Sequence, residues 1–268
     1  MPETPAARIR AYTKRDEKEV RFMIGQAQME PLAYANHQMY FHPLTLAVWI
    51  GFSSIFTHYM NWWPNSEYGI LSWLQVLPAF FASAVPVMFF IDWKNRPTVE
   101  DKVEKVLRRI DLLNIQNYYV RSPASGLWLF EHGDKIIGMI AIDASLDASN
   151  DEPITQQTSV ERLKEALERK GTSHTAVIRH FFAEEAYRSV KIEDDLLEYA
   201  VEKTFEANKT VDTIRIAASP LRPAILESLR RNRFSKGDRV ESIGILNWEI
   251  CWYNLERSRW EAAKQGAK

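Results

Sequence analysis

Two long uncharged apolar segments constrain this chain of 268 residues more than any other feature. Residues Leu44–Trp63 and Tyr68–Ile91 contain no Asp, Glu, Lys or Arg, and only Pro64–Glu67 separate them. The segments have 20 and 24 residues, and a helix needs about 20 residues to cross a hydrocarbon core of about 30 Å. The alternative is a buried helical hairpin of a soluble core, which usually carries a polar stripe that these segments lack. We therefore predict a transmembrane hairpin over residues 44–91.

The charges on either side of the hairpin predict its orientation. Lys and Arg close to membrane ends stay on the cytoplasmic side. The flanking basic residues are Arg8, Arg10, Lys14, Arg15, Lys18 and Arg21 before the hairpin, and Lys94, Arg96, Lys102, Lys105, Arg108 and Arg109 after it. The connecting loop Pro64–Glu67 has none. We expect both termini in the cytosol and this loop on the lumenal or external side.

Composition excludes several classes of function. Lys and Arg total 34 against 35 Asp and Glu, so no overall positive charge favours nucleic acid as a partner. Cys251 is the only cysteine, which excludes an internal disulfide and a cysteine-based metal cluster. The first twenty residues lack the apolar core of a cleavable signal peptide, so we expect the hairpin itself to direct insertion. A domain in the reducing cytosol fits these features.

Outside the hairpin, apolar periodicity and turn residues predict alternating strands and helices. The predicted strands are Ile9–Thr13, Leu127–Glu131, Ile136–Ala144, His174–Phe182, Thr213–Ala217 and Ile243–Tyr253, and the predicted helices are Asp16–Met29, Thr98–Asn114, Ser159–Lys170, Lys191–Asn208 and Pro223–Asn232. The chain thus divides into four parts. These are a first strand and helix (residues 1–30), the transmembrane hairpin (44–91), the remainder of the cytosolic domain (98–256) and a solvated tail (257–268).

Several segments in this order resemble the GCN5-related N-acetyltransferase superfamily. They are Ile9-Arg10 with Asp16, the strand IIGMIAI, Ala183–Arg188 followed by Ile192 and Leu196-Leu197, and Ser219-Pro220 followed by Ala224-Ile225 and Phe234. The resemblance covers nearly all residues outside 31–97 and 145–173. It implies an α/β fold with an acetyltransferase-like mixed sheet flanked by helices, and with the hairpin inserted between the first two helices. This layout is also similar to endoplasmic-reticulum acetyltransferases that modify aspartate or cysteine conjugates.

The resemblance also implies where acetyl-CoA would bind, at a glycine-rich loop that opens a helix. Backbone N–H groups and the positive helix end attract phosphate there, and glycine allows close approach. The corresponding segment, Arg188–Asp195, contains no glycine and puts Glu193, Asp194 and Asp195 in the first helical turn. Carboxylates at this position would repel a pyrophosphate. Arg188 and Lys191 are the candidate cofactor-binding residues only if acetyl-CoA binds, and we predict no cofactor.

The catalytic acid is missing as well. Many family members carry a tyrosine in the penultimate helix, and the resemblance implies that it protonates the departing thiolate. Leu229 occupies that position here, and leucine cannot donate a proton. The other polar residues on or beside the central strands are Glu131, His132, His174, His180 and Glu184, and the ordinary interpretation of His180 is a half-exposed histidine. His37, His42 and His58 lack ligand spacing and a nearby carboxylate, so we assign neither a catalytic residue nor a metal.

Three functions remain open. The first is a noncatalytic endoplasmic-reticulum membrane protein that assists folding, assembly or export of a polytopic membrane protein. The HPLTLAVWIGFSS start of the first apolar segment also resembles fungal packaging chaperones of the high-affinity phosphate transporter, which makes that transporter a candidate partner. The second is a membrane-bound acetyl-CoA-dependent N-acetyltransferase, and the third is a membrane tether for a soluble partner. We favour the first, because small and polar residues in the hairpin (Ser53, Ser54, Gln75, Ser83 and Ala84) offer a surface to other helices.

Overall fold

The computed structural model describes residues 7–64 and 66–266. Within them, seven strands form one mixed sheet in the order β1-β2-β3-β4-β5-β7-β6. The strands are β1 (Ala7–Ala11), β2 (Gly126–His132), β3 (Lys135–Asp143), β4 (Thr175–Ala183), β5 (Thr213–Ala218), β6 (Ser235–Ile243) and β7 (Trp248–Glu256). Neighbouring strands are antiparallel except β4 and β5, which run parallel. The prediction of an α/β fold with a mixed sheet flanked by helices is confirmed.

Helices cover both faces of the sheet. They are α1 (Glu17–Tyr40), α2 (Pro43–Tyr59), α3 (Leu77–Leu107), α4 (Ile115–Tyr118), α5 (Val160–Glu168), α6 (Ile192–Ala207), α7 (Pro223–Arg231) and α8 (Arg257–Gly266). Successive strand residues point to opposite faces, so Ile140 packs with Leu196 of α6, whereas Met139 packs with Ile24 of α1. The sheet is therefore buried between two hydrophobic layers.

The strands predicted at Leu127–Glu131 and Ile136–Ala144 are confirmed, and they form the antiparallel pair β2–β3. Its turn contains Gly133 at φ 62°, a left-handed conformation that glycine adopts without steric penalty. The single final strand predicted at Ile243–Tyr253 is wrong, because two strands, β6 and β7, meet at this point. Strand β6 lies at the sheet edge and buries only Ile243, so it lacks the apolar alternation by which strands are recognised.

The first and third helices are longer than expected. Helix α1 continues past Met29 to Tyr40, with Pro31 in its interior. The separate helix predicted to start at Thr98 is wrong, because this segment is the end of α3, which runs through Pro86 and Pro97. A proline removes one backbone N–H from a helix, and packing along α1 keeps the helix continuous, with Asn95 and Val99 fully or almost fully buried.

Helices α2 and α3 pack against each other in the predicted hairpin. Ser53 and Ser83 share a hydrogen bond of 2.6 Å between their hydroxyl oxygens, and the Trp49 indole N–H donates to the Phe80 carbonyl at 3.1 Å. By length and composition, the helical segment Leu71–Leu107 could cross a membrane, and the bent pair Lys14–Tyr40 and Pro43–Tyr59 would supply another crossing if it forms one span. Asn65 of the predicted connecting loop lies outside the described residues.

The C-terminal segment, expected to be a solvated tail, forms a helix with no buried residue that packs against the core through the partly buried Trp260. Residues Arg257–Gly266 form α8, and the Trp260 ring lies 5.1 Å from the Phe205 ring, between centroids. Arg257 donates hydrogen bonds to the carbonyls of Phe205, Asn208 and Val211. These contacts close the end of α6, whose last carbonyls otherwise lack partners. Residues 267–268 lie outside the described part of the chain.

Candidate functional site

The two parallel strands of the sheet separate along their length. Strands β4 and β5 pair only between Thr175–Val177 and Thr213–Arg215, and then β4 follows β3 while β5 follows β7. The opening contains a cavity of about 350 Å³ whose lining includes Phe181 and Arg222. Separated strands leave backbone N–H and C=O groups without a neighbouring strand, so this opening is a place where a ligand could pair with the chain.

A side chain of the protein itself enters this opening. The Arg222 guanidinium, at the start of α7, donates a hydrogen bond to the Phe181 carbonyl of β4, and its Nε lies 3.8 Å from the Glu30 carboxylate of α1. Burial lowers the pKa of Arg222 despite the neighbouring Glu30. Arg222 thus satisfies a β4 carbonyl that the splayed strands leave exposed.

The candidate residue Arg188 is also bound within the chain. It lies in a 3-10 helix, Glu185–Val190, that connects β4 to α6. Its guanidinium lies 2.8 Å from the Glu30 carboxylate and donates to the Ala183 carbonyl at 3.2 Å and 3.3 Å. The second candidate, Lys191, is exposed in a left-handed conformation (φ 61°) just before α6. Arg188 is therefore engaged within the fold, whereas Lys191 is exposed to solvent.

Polar groups of the Glu185–Val190 connection and of the start of α6 are bonded to other groups of the chain. The N–H of Tyr187 donates to Glu184 and the N–H of Lys191 donates to Arg188, at 3.0 Å each. Glu193 is 2% exposed, and burial raises the pKa of its carboxyl. Asp194 accepts a hydrogen bond of 2.6 Å from Arg231. An incoming pyrophosphate would meet internally bonded N–H groups and three carboxylates here.

The position expected for a catalytic tyrosine lies inside the core. Leu229 is 0% exposed, and its carbonyl accepts the N–H of Phe234 at 2.9 Å. Arg233, in the turn after α7, adopts φ 66°, the left-handed conformation that glycine adopts most easily. The position that the resemblance assigns to a proton donor is thus occupied by a packing residue, next to a turn with a left-handed arginine.

A buried polar cluster, which we call the Asp111 cluster, lies on the α1 face of the sheet and was missed from the sequence. Its carboxylates, Asp111 and Asp143, are both 0% exposed. His180 Nε2 lies 2.7 Å from Asp111 Oδ2, and Arg179 Nε donates to Asp143 at 3.0 Å. The hydroxyls of Tyr118 and Tyr119 donate to Asp143 at 2.8 Å and to Asp111 at 2.9 Å. The interpretation of His180 as half-exposed is wrong, because it is 3% exposed.

A register shift explains why alternation misplaced His180. Ala141 pairs with His180 and Ile142 pairs with Ile178, so Arg179 has no partner on β3. Such a bulge lets two consecutive side chains point to the same face. Burial alone would raise the pKa of Asp111, but His180, Arg179 and Arg109 hold it well below its usual range. The only signal of this cluster in the sequence is the presence of Arg179 and His180 in a strand that is otherwise apolar.

The remaining candidates do not assemble into a site. Glu131 is paired with Arg8 at 2.7 Å, and Glu184 with Lys135 at 2.7 Å. His174 is exposed and lies 2.7 Å from Asp212, at the opposite end of β4 from Glu184. The His132 ring lies 6.0 Å from the Tyr187 ring. Across residues 7–64 and 66–266, no group of three or more His, Cys, Asp or Glu side chains could hold a metal ion.

Comparisons with known proteins place this chain near one group of solved structures. No protein-family model and no curated protein sequence matches it. It is similar to acetyltransferases of the GNAT family from Staphylococcus aureus Mu50 (12% identity, 94% of this chain, 99% of that chain, TM-score 0.47) and Streptococcus pneumoniae (11%, 94%, 99%, 0.47). It is also similar to a Salmonella typhimurium protein solved with its cofactor acetyl-CoA (8%, 94%, 94%, 0.41). At these values, the roles of individual residues rest on this chain's own geometry.

Proposed function

We propose that this protein is a noncatalytic membrane protein of the endoplasmic reticulum. In this proposal, α2 and α3 cross the bilayer as a hairpin, and the sheet domain faces the cytosol together with both termini. The protein assists the folding, assembly or export of a polytopic membrane protein, which contacts the hairpin laterally. The high-affinity phosphate transporter is the candidate cargo, on the resemblance of residues 42–54 to its packaging chaperones.

The apolar exposure of α2 and α3 carries the membrane part of the proposal. Large exposed apolar patches on soluble proteins are rare and mark contact with another apolar phase. In the apolar window of the Leu71–Leu107 segment, only 22% of the residues are buried. The exposed apolar side chains of the hairpin include Leu44 (68%), Val48 (57%), Ile55 (71%), Phe81 (70%), Val85 (66%) and Phe89 (70%).

The length of the hairpin agrees with a crossing. Exposed tryptophans lie near both ends of its second arm, Trp73 near the connecting loop and Trp93 next to the domain. They are twenty residues apart in the sequence, which corresponds to about 30 Å of helix, the thickness of a hydrocarbon core. Tryptophan prefers the two membrane interfaces. This spacing supports a full crossing rather than a shallow insertion.

The surface available for a partner helix is narrower than the sequence suggested. Ser53 and Ser83 are buried against each other between α2 and α3, so they hold the hairpin together. Ser54, Gln75 and Ala84 remain at least partly accessible. Small side chains allow close approach of helix backbones in lipid, so we assign the lateral contact to the face around Ser54 and Ala84.

We propose that the protein is noncatalytic because its own side chains occupy the β4–α6 connection and the opening between β4 and β5. Arg188 and Arg222 are both held by Glu30 and by β4 carbonyls, so these two cations stabilise the fold and only Lys191 of the candidate pair remains exposed. Leu229 provides no proton donor. These contacts favour the scaffold function over the membrane-bound N-acetyltransferase.

Photocrosslinking tests the lateral contact. A photoreactive amino acid at Val85, which is 66% exposed on α3, should form adducts with a polytopic membrane protein in cells. The matched control is the same group at Lys209, an exposed residue in the loop before β5. Adducts with the phosphate transporter at Val85 alone are the expected result. Adducts with lipid alone at Val85 would contradict the proposal.

A further inference from the structure

The turn between β6 and β7 carries two exposed apolar side chains. Residues Gly244–Asn247 form this turn, with Gly244 at φ 73° and Asn247 at φ 53°. Ile245 and Leu246 at its tip are 41% and 39% exposed. Turn tips are normally polar, so two adjacent exposed aliphatic residues at this position need a physical reason.

The turn is fastened to α3 close to the expected membrane boundary. The backbone N–H of Ile245 donates to Asn95 Oδ1 at 3.1 Å. Asn95 lies four residues beyond Ile91, the last residue of the uncharged segment, or about 6 Å along the helix. The headgroup region is about 5–7 Å thick on each side of the hydrocarbon core. The tip therefore lies at the depth of the headgroups if α3 crosses the bilayer.

Further contacts prevent the turn from moving away from the hairpin. Asn95 donates to Asn36 Oδ1 at 3.0 Å, and Asn36 donates to Asp92 Oδ1 at 2.7 Å. Behind the tip, the Trp248 indole N–H donates to Gln38 Oε1 at 2.7 Å. The strands of the turn, α1 and α3 therefore form one polar junction at the base of the hairpin. A rigid junction fixes the depth of Ile245 and Leu246 relative to the membrane.

We propose that the β6–β7 turn is a second membrane contact, with Ile245 and Leu246 inserted among the lipid headgroups of the cytosolic leaflet beside α3. This inference rests on the proposed hairpin crossing and goes beyond it. The occupant is the bilayer, because Asn95, which holds the tip, lies only four residues beyond the uncharged segment of α3, at the depth of the headgroups. Lys94, whose ammonium lies 4.9 Å from the Trp93 ring centroid, provides the cation that anionic headgroups attract. The contact would hold the sheet domain in one orientation against the membrane.

Fluorescence quenching in nanodiscs tests this contact. Single cysteines replace Leu246, Val85 or Lys209 in the full chain with the buried Cys251→Ser, and each is labelled with bimane. Lys209 is the control, because it precedes β5 at the sheet end where Thr213 pairs with Glu256, eight residues or about 26 Å along β7 from the turn. The nanodiscs contain phosphatidylcholine and phosphatidylserine with a nitroxide either at the headgroup or deep in the acyl chain.

The expected result is headgroup-nitroxide quenching of the Leu246 label at least about threefold above that of the Lys209 label, as for an interfacial apolar residue. Equal quenching at both positions, with the Val85 label quenched by the deep nitroxide, would overturn this inference and leave the hairpin crossing intact. Absence of quenching at Val85 as well would overturn both. A Leu246 label shielded from the lipid nitroxides and also from aqueous iodide would indicate a protein occupant and overturn the lipid contact.

Discussion

The guanidinium of Arg188 lies 2.8 Å from the carboxylate of Glu30, across the space between the β4–α6 connection and α1. This pair neutralises the cation that the family resemblance would direct at the phosphates of acetyl-CoA. Glu30 also lies 3.8 Å from Arg222, so one carboxylate faces two guanidiniums. Both guanidiniums are therefore engaged within the fold, by Glu30 and by the carbonyls of β4.

These internal contacts predict weak binding of acetyl-CoA. Because Arg188 is paired with Glu30 and three carboxylates begin α6, the dissociation constant should be no tighter than about 1 mM. Isothermal titration calorimetry of the purified protein in detergent measures it, with an active acetyltransferase as the positive control. A micromolar constant that is lost in Lys191→Ala, at the exposed candidate cation, would instead support the membrane-bound acetyl-CoA-dependent N-acetyltransferase.

The basic flanks predict a cytosolic location for both termini. Positive charges lie on both sides of the hairpin and none in its loop, and such charges remain on the cytoplasmic side. Protease treatment of sealed microsomes should therefore remove tags from either end. Protection of either tag until detergent is added would refute this topology.

The Asp111 cluster predicts a large loss of stability from a single substitution. Asp111→Asn leaves Arg179 and His180 with one partner fewer in a site that excludes water, which costs about 3–5 kcal/mol for a buried pair. Asp212→Asn is the matched control, because Asp212 also lies 2.7 Å from a histidine, His174, but is 64% exposed. It should cost no more than about 1 kcal/mol. Denaturant unfolding in detergent measures both, and equal losses would contradict the assigned role of burial.

The Arg10–Asp16 pair predicts acid sensitivity. Hydrogen bonds from the Arg10 guanidinium at 2.7 Å and 2.9 Å hold the pKa of Asp16 at about 2, below the ordinary value of 3.8. The carboxylate therefore stabilises the fold above pH 3.8, by up to about 2 kcal/mol, and this contribution is lost as the pH falls through 2. The difference in unfolding free energy between wild type and Asp16→Asn should shrink over that range. The control Asp238→Asn, at an exposed residue of β6, should change the unfolding free energy by no more than about 0.5 kcal/mol.

The fold was largely predictable where local signals and packing agree. The β2–β3 pair has a glycine turn and apolar strands, and α6 begins with acidic residues in its first turn. The sequence failed where tertiary contacts override local preference. Prolines normally interrupt helices, yet α3 runs through Pro97 because α1 packs along it. Strand β6 was missed because an edge strand needs no buried face.

At the candidate site, the sequence predicted which expected residues are missing, but it did not predict which residues contact each other. The missing glycines and the Leu229 substitution are visible in the residues themselves. The burial of His180 depends on the bulge at Arg179, and the alternation of apolar and polar residues does not predict a bulge. The pairing of Arg188 with Glu30 joins residues 158 positions apart, so only the folded chain brings them together. Point mutants of Arg188 or His180 therefore cannot test chemistry alone, because either substitution would also disturb the fold.

Exchange of the hairpin tests the central claim most directly. Residues 44–91 are replaced by an unrelated two-span hairpin of equal length, and Lys191→Ala, at the exposed loop cation, serves as the matched variant of the domain. Cell fractionation measures how much of the high-affinity phosphate transporter is exported from the endoplasmic reticulum. The account predicts full export with Lys191→Ala and loss of export with the exchanged hairpin, because recognition between helices in lipid depends on their particular small and polar residues. Full export with the exchanged hairpin and loss with Lys191→Ala would contradict it.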